Sequence, residues 1–307
     1  MEYEDNDLPK NRLVPFFSRY KTNRHSTKGP KVTIAIGFVC PLRDKKLAFG
    51  ALPSIWMASD SQATYDETKR ENPNKIRVID FANGQILVAQ ADSVEVGDRM
   101  IEILRPKAKA TKMVDSQTAV KTVRAALLEV RNELLECNKG ITIDLEKFFW
   151  TEHRLNLLIG YFFNGQPHLY KMNIYRGLYT LVDSFEAIGG GQSLGYFLLK
   201  EYAQADPYFQ GEFPVAVDVV NKVIENVDGC ERPIWVANVI PLPPESQTNK
   251  KKNTHSQIEC EAIIIPQRKT EMLSRNLRVA YVRNATRHKE ELLRAIWQVA
   301  GRRRTPR

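Results

Sequence analysis

Thr33, Asp60 and Lys75 are the residues whose types could together do nucleophilic chemistry. A hydroxyl attacks poorly until a base takes its proton, and a lysine beside a carboxylate is a charged pair able to set proton affinities around that hydroxyl. Taken singly, each residue is ordinary. A threonine in an extended run is a good strand former, and a lone lysine or aspartate is usually a solvated charge. Position is what sets them apart. Thr33 opens the β-branched run VTIAIGFVC at 32–40, Asp60 closes a second apolar run at 55–59, and Lys75 opens a third at 75–81. Hairpin geometry can gather three such strand ends at one edge of a sheet.

The elements that must position these ends are legible from hydrophobic period and turn residues. A polar excursion with Pro and Gly at 41–54 joins the first two strands into a hairpin with a long loop. Asn83-Gly84, a strong tight-turn signal, joins the strand at 75–81 to another at 85–91. The period then lengthens. Val94, Met100, Ile101 and Leu104 fit a short helix, and Val120, Val123, Leu127, Val130 and Leu134 place a long one over 118–137. Strand character returns at 155–161, 168–174 and 178–183, punctuated by Asn164-Gly165 and Arg176-Gly177. Gly189-Gly190-Gly191 opens a helix at 193–204, and another at 214–227 begins at a proline suited to a first turn. Strands at 234–240 and 258–266 and an amphipathic helix at 288–299 complete the chain. Strands, helices, strands, helices, strands imply an α+β fold. Its expected form is a four-layer αββα sandwich, two antiparallel sheets face to face between helical layers.

Thr33-Ile-Ala-Ile-Gly37, Ala58-Ser-Asp60-Ser-Gln-Ala-Thr64 and Lys75-Ile-Arg-Val-Ile79 resemble the opening of proteasome β-type subunits. The Gln-Ala-Thr after the aspartate looks closer still to HslV-like members of that N-terminal-nucleophile hydrolase family. The turn Ala187-Ile-Gly-Gly-Gly-Gln192 is similar to the family's Gly-rich helix entry, and Asp228 before the run at 234–239 matches an aspartate at the same point in the order. The likeness extends over residues 33–266. It implies the N-terminal-nucleophile sandwich and a homo-oligomeric ring enclosing sites that hydrolyse peptides or unfolded protein. An ATP-driven unfoldase is a partner class that it raises, and no cofactor is implied.

Carried over by position, Thr33 would be the nucleophile and Lys75 would lower proton affinity there. Asp60 would orient Lys75, and Asp228 would support the nucleophile's amino group from the far sheet. An α-amino group has a pKa near about 8 and can accept the hydroxyl proton, whereas an amide nitrogen inside an uncut chain cannot. Residues 1–32 are therefore expected to be a self-cleaved leader, cut between Val32 and Thr33. Residues 33–267 would be the hydrolase domain and 268–307 a basic extension. The chain departs from the family pattern in places. Val32 stands where processed members have glycine. Ala91-Asp92-Ser93 replaces a glycine expected to donate an oxyanion amide, and a carboxylate near a developing negative charge is unfavourable. Gly190 and Glu231 stand where small hydroxyl residues are usual. An uncut, catalytically inert subunit of the same fold is the alternative reading.

Composition limits other functions. Hydrophobic residues at 43% and charged residues at 26% of 307 are ordinary globular values. No apolar stretch approaches the roughly 20 residues needed to cross a bilayer, so no membrane partner is expected. The amino terminus lacks an apolar core behind a basic start, which favours a cytoplasmic location over secretion. Cys40, Cys137, Cys230 and Cys260 are scattered without metal-ligand or disulfide-framework spacing. The net charge of +9 resides in the tail: over 268–307 twelve Lys and Arg face three Glu, and the rest of the chain is balanced. Arg302-Arg303-Arg304 with Trp297 could touch nucleic acid, but Leu292, Leu293, Ile296 and Val299 form a face better suited to docking on protein. Nucleic acid is not the expected partner. No P-loop, GxGxxG or HExxH is present, and the glycines at 189–191 lack a lysine at the phosphate-cradle offset.

Overall fold

The computed structural model describes residues 33–40, 53–65, 68–71, 75–140, 142–205, 212–230 and 234–239. The leader, the loop at 41–52, the strand at 258–266 and the tail helix at 288–299 lie outside the described residues. In chain order the elements begin with β1 (Ala35–Cys40), β2 (Ser54–Ser59), β3 (Gln62–Tyr65), β4 (Thr68–Glu71), β5 (Ile76–Phe81) and β6 (Gly84–Asp92). Helices α1 (Val94–Ala110) and α2 (Thr118–Cys137) follow, then a single turn α3 (Leu145–Lys147) that runs into a π-helical turn at Phe148–Glu152. Next come β7 (Leu155–Phe163), β8 (Gln166–Asn173), β9 (Tyr179–Leu181) and β10 (Phe185–Ile188). Helices α4 (Gln192–Ala205) and α5 (Glu212–Asn226) lead to β11 (Trp235–Val239).

Two antiparallel sheets carry the fold. One has the order β10-β1-β2-β11 and the other β5-β6-β7-β8-β9, with β3-β4 a separate two-stranded ribbon. In the first, Ala35 faces Ile188 on one side and Ser59 on the other, and Trp235 in turn faces Ser59. In the second, β6 ends with Asp92 opposite Leu155. Alternation along each strand then divides the side chains between two faces. Ala35, Ile55, Met57, Leu87, Ala89, Leu158 and Ala237 fill the space between the sheets. The outer face of the five-stranded sheet buries Ile86, Val88 and Ile159 against Met100, Leu104, Val123 and Leu127 of α1 and α2. The outer face of the four-stranded sheet buries Ile36, Phe38 and Ala58 against Leu199, Val219 and Val223 of α4 and α5. This is the αββα sandwich.

The sheets approach closely where a side chain is missing. A Cβ built on Gly160 would lie 2.7 Å from Met57 Cε, so a larger residue in β7 there would have to push the Met57 methyl aside. The two outer helices of the first sheet are clasped by a buried carboxylate: Asp218 accepts from the Tyr202 hydroxyl and pairs with Lys222 at 2.5 Å. With Asp218 fully buried, that partnership is required. No helix among the described residues is long and apolar enough to cross a membrane.

Several elements differ from the sequence expectation. The sequence pattern gives no strand at 185–188, yet β10 lies there and pairs with β1 in the four-stranded sheet. The β3-β4 ribbon, polar and short, carried no alternation to reveal it. α1 continues through Pro106 to Ala110, beyond the end expected near Leu104, because Ile103, Leu104 and Ala108 remain buried against the sheet.

Candidate functional site

Polar side chains are expensive to bury, so their distribution in the interior is informative. Thr33, Ser59, Asp60, Ser61, Lys75 and Asn156 are all buried, and they belong to strand ends meeting at one end of the sandwich. Thr33 immediately precedes β1, Asp60 follows β2 and Lys75 precedes β5.

Lys75 Nζ donates to Asp60 Oδ1 at 2.7 Å, with side chains 1% and 0% exposed. The same carboxylate oxygen accepts from the Ile34 amide at 3.1 Å, while the Asp60 amide donates to the Ile34 carbonyl at 3.2 Å. The residue after Thr33 is thus stitched to Asp60 by two hydrogen bonds, one to its side chain and one from its backbone. The Thr33 carbonyl accepts from the Gly191 amide at 3.2 Å. Gly189, at φ +95°, lies so close that an added Cβ would sit 2.3 Å from that carbonyl oxygen. The glycine turn therefore packs directly on the threonine, and its composition follows from that contact as well as from its backbone conformation.

Thr33 Oγ1 accepts a hydrogen bond from the backbone amide of Asp92 at 2.9 Å. Asp92 has φ +81°, a conformation that normally selects glycine. Its carboxylate accepts from Asn156 Nδ2 at 2.6 Å and is paired with Arg154, whose Nε lies 3.2 Å from Oδ2 without hydrogen-bond alignment. Burial pushes the Asp92 carboxyl up, and Arg154, Asn156 and Lys75 pull it back down. Arg154 and Asn156 also line a cleft of about 620 Å³, together with Lys171, Glu186, Gln192 and Tyr196.

Thr33, Asp60 and Lys75 thus converge on one end of the fold. Asp228 is exposed in the turn after α5 and makes no hydrogen bond or ion pair among the described residues. Two positions farther on, Cys230 is buried near the ion pair; burial and the Asp60 charge raise its thiol, with Lys75 opposing. Asp92, Arg154, Asn156 and Cys230 are site neighbours that sequence reasoning did not select. Asp92 carries a signal, since it occupies the place of an expected glycine, but residue type alone shows its charge and not the direction of its amide. No group of three or more His, Cys, Asp or Glu among the described residues could hold a metal ion.

No protein-family model matches the chain, and no curated protein matches it in sequence. Its structure is similar to solved ones. Anbu from Hyphomicrobium sp. strain MC1 superposes with a TM-score of 0.57 at 13% identity, over 83% of this chain and 97% of that one. Anbu from Yersinia bercovieri, described as an ancestral beta-subunit, gives 0.59 at 13% identity, over 81% and 95%. Anbu from Pseudomonas aeruginosa, solved as a helical assembly, gives 0.56 at 12% identity, over 90% and 98%. The HslV-like kinship expected from Gln-Ala-Thr is therefore corrected. That tripeptide is Gln62–Thr64 on the β3 ribbon, which belongs to neither main sheet, whereas the structural likeness follows the path of most of the chain. The fold is like that of these Anbu structures, which is where the structural likeness points in place of HslV.

Proposed function

We propose that this chain is a proteasome-type threonine peptidase that hydrolyses peptide bonds with Thr33 after residues 1–32 are cut away. The observation that supports this reading most is the environment of Thr33: its buried Oγ1 accepts from the Asp92 amide at 2.9 Å, and the amide of the next residue, Ile34, donates to the Asp60 carboxylate of a buried Lys75–Asp60 pair. A buried ion pair is weak evidence for stability, because desolvation offsets most of its attraction. Such pairs cluster at sites where charge acts on chemistry.

In the proposed reaction the freed α-amino group of Thr33 takes the Oγ1 proton as Oγ1 bonds to the substrate carbonyl carbon. The Lys75 ammonium favours the developing negative charge on oxygen. The Asp92 amide, already directed at the attacking atom, is placed to donate to the oxyanion. Collapse expels the amine leaving group, which takes the proton, and leaves an ester on Oγ1. Water, activated by the same amino group, then hydrolyses the ester. Asp60 fixes Lys75, and Asp228 would have to approach the freed amino group to take the role carried over to it.

Assembly into a closed or helical homo-oligomer belongs to the same proposal, by analogy with the Pseudomonas Anbu assembly. The inert-subunit reading is favoured by one feature, the lack of a hydrogen bond or ion pair between Asp228 and the other three residues among those described.

Two measurements test the catalytic reading. Intact mass of active protein is expected to begin at Thr33; active protein that retains Met1 through Val32 excludes the amino group as base. Peptide turnover is expected to fall by at least about 1,000-fold in Thr33→Ala, because the nucleophile is removed. Equal turnover in the two proteins would eliminate Thr33 as the nucleophile.

A further inference from the structure

An aspartate stands where the chemistry favours glycine, and the structure supplies a reason that it can. Asp92 must hold a left-handed φ of +81° to aim its amide at Thr33 Oγ1. Glycine would do this without strain, but it would also leave the segment free to turn elsewhere. Here the side chain that makes the conformation unfavourable is also the handle that fixes it. Asn156 Nδ2 donates to its Oδ2 at 2.6 Å, and Arg154 pairs with the same oxygen at 3.2 Å.

Arg154 grips the segment twice. Its carbonyl accepts from the Ser93 amide at 2.8 Å, and Ser93 caps α1 by accepting from Val96. The Arg154 guanidinium in turn lies 5.6 Å over the Trp150 ring. Asp92 is therefore held between the last register pair of β6 and β7 and the first turn of α1. A free carboxylate at this place would repel an oxyanion; one bound to a guanidinium and a carboxamide is turned toward β7.

We propose that Arg154 and Asn156 are positioning residues that hold the Asp92 carboxylate so that its backbone amide, and not its charge, faces Thr33 Oγ1. This rests on the peptidase reading for its effect on turnover, though the geometry it describes does not. Removing either partner releases the carboxylate and lets the peptide plane rotate. In Arg154→Met and Asn156→Leu, kcat is expected to fall about 10- to 100-fold, less than the roughly 100- to 1,000-fold cost of losing an oxyanion donor outright because the amide is displaced and not removed, while KM changes less than about 2-fold.

The decisive comparison uses Asp92→Gly. Whatever that substitution does alone, glycine needs no clamp for a positive φ, so adding Arg154→Met to it is expected to change kcat less than about 2-fold. A loss from Arg154→Met that is the same in both backgrounds overturns the proposal, because Arg154 would then act through something other than Asp92. A second readout requires no activity: amide hydrogen exchange at Asp92 in the full chain. It is expected to accelerate at least about 10-fold in Arg154→Met while neighbouring amides of β6 and β7 keep their protection. Unchanged exchange at Asp92 overturns the proposal even if turnover falls. Should wild-type turnover prove independent of Thr33, the peptidase reading fails, and exchange alone decides whether the clamp positions this amide.

Discussion

The Lys75–Asp60 pair concentrates opposite charges where there is almost no water to solvate either one. Each ion is tolerable only while the other is present, and the Ile34 amide supplies the carboxylate with a further donor. Lys75→Met is therefore expected to destabilise the protein by about 3–5 kcal/mol, the cost of leaving a buried charge unpaired, as measured by urea unfolding. Adding Asp60→Leu should restore much of that stability without restoring turnover. A Lys75→Met protein as stable as wild type would mean that water reaches Asp60. Cys230, beside the same pair, has its thiol raised by burial and the Asp60 charge, which leaves it protonated and unreactive at neutral pH. It is a packing neighbour of the site.

At the level of elements, the site depends on the ends of strands and on the turn that leads into α4. Gly189 and Gly165 both have positive φ, at +95° and +73°, so backbone strain alone would penalise alanine similarly at each. Their surroundings differ. A Cβ at Gly165 meets nothing within 4 Å, whereas one at Gly189 meets the Thr33 carbonyl oxygen at 2.3 Å. Gly165→Ala is expected to lower stability by about 1 kcal/mol. Gly189→Ala is expected to cost about 2–4 kcal/mol and to abolish turnover by displacing Thr33, which chemical denaturation and a peptide assay would show. Equal costs at the two positions would mean that the turn relaxes away from the threonine.

At the level of the whole molecule, stability on the acid side is coupled to the second sheet through His168. It stacks on Tyr161 and Tyr170, with ring centroids 5.5 and 6.3 Å away, and burial lowers its proton affinity. A lowered folded-state pKa means that the unfolded chain binds the proton more tightly. His168 therefore withdraws stability as pH falls below the unfolded value of about 6.5 and through the lower folded value; above 6.5 it contributes no pH dependence. His168→Gln is expected to flatten the fall in thermal midpoint between about pH 6.5 and 5 relative to wild type. Parallel curves for the two proteins would show that His168 is solvated in the native state.

Much of this architecture was legible along the chain, for a local reason. Period and turn residues are properties of neighbouring positions, so α2 begins and ends where its apolar spacing does, and Asn83-Gly84 joins β5 to β6 as expected. Residue type at strand ends likewise marked Thr33, Asp60 and Lys75. The sheet to which a strand belongs is not local: β10 is four residues long, and only its register with β1 gives it a place. The same holds for the clamp. Asp92 meets Thr33 across 59 positions of sequence and Asn156 across 64, and its backbone angle depends on both contacts. By itself the sequence determined the alternation, the turns and the three residues with the means for chemistry. Tertiary structure decided that Asp92 presents an amide instead of a charge and that Asp228 is exposed, because side-chain direction is set by packing between segments that local order cannot relate.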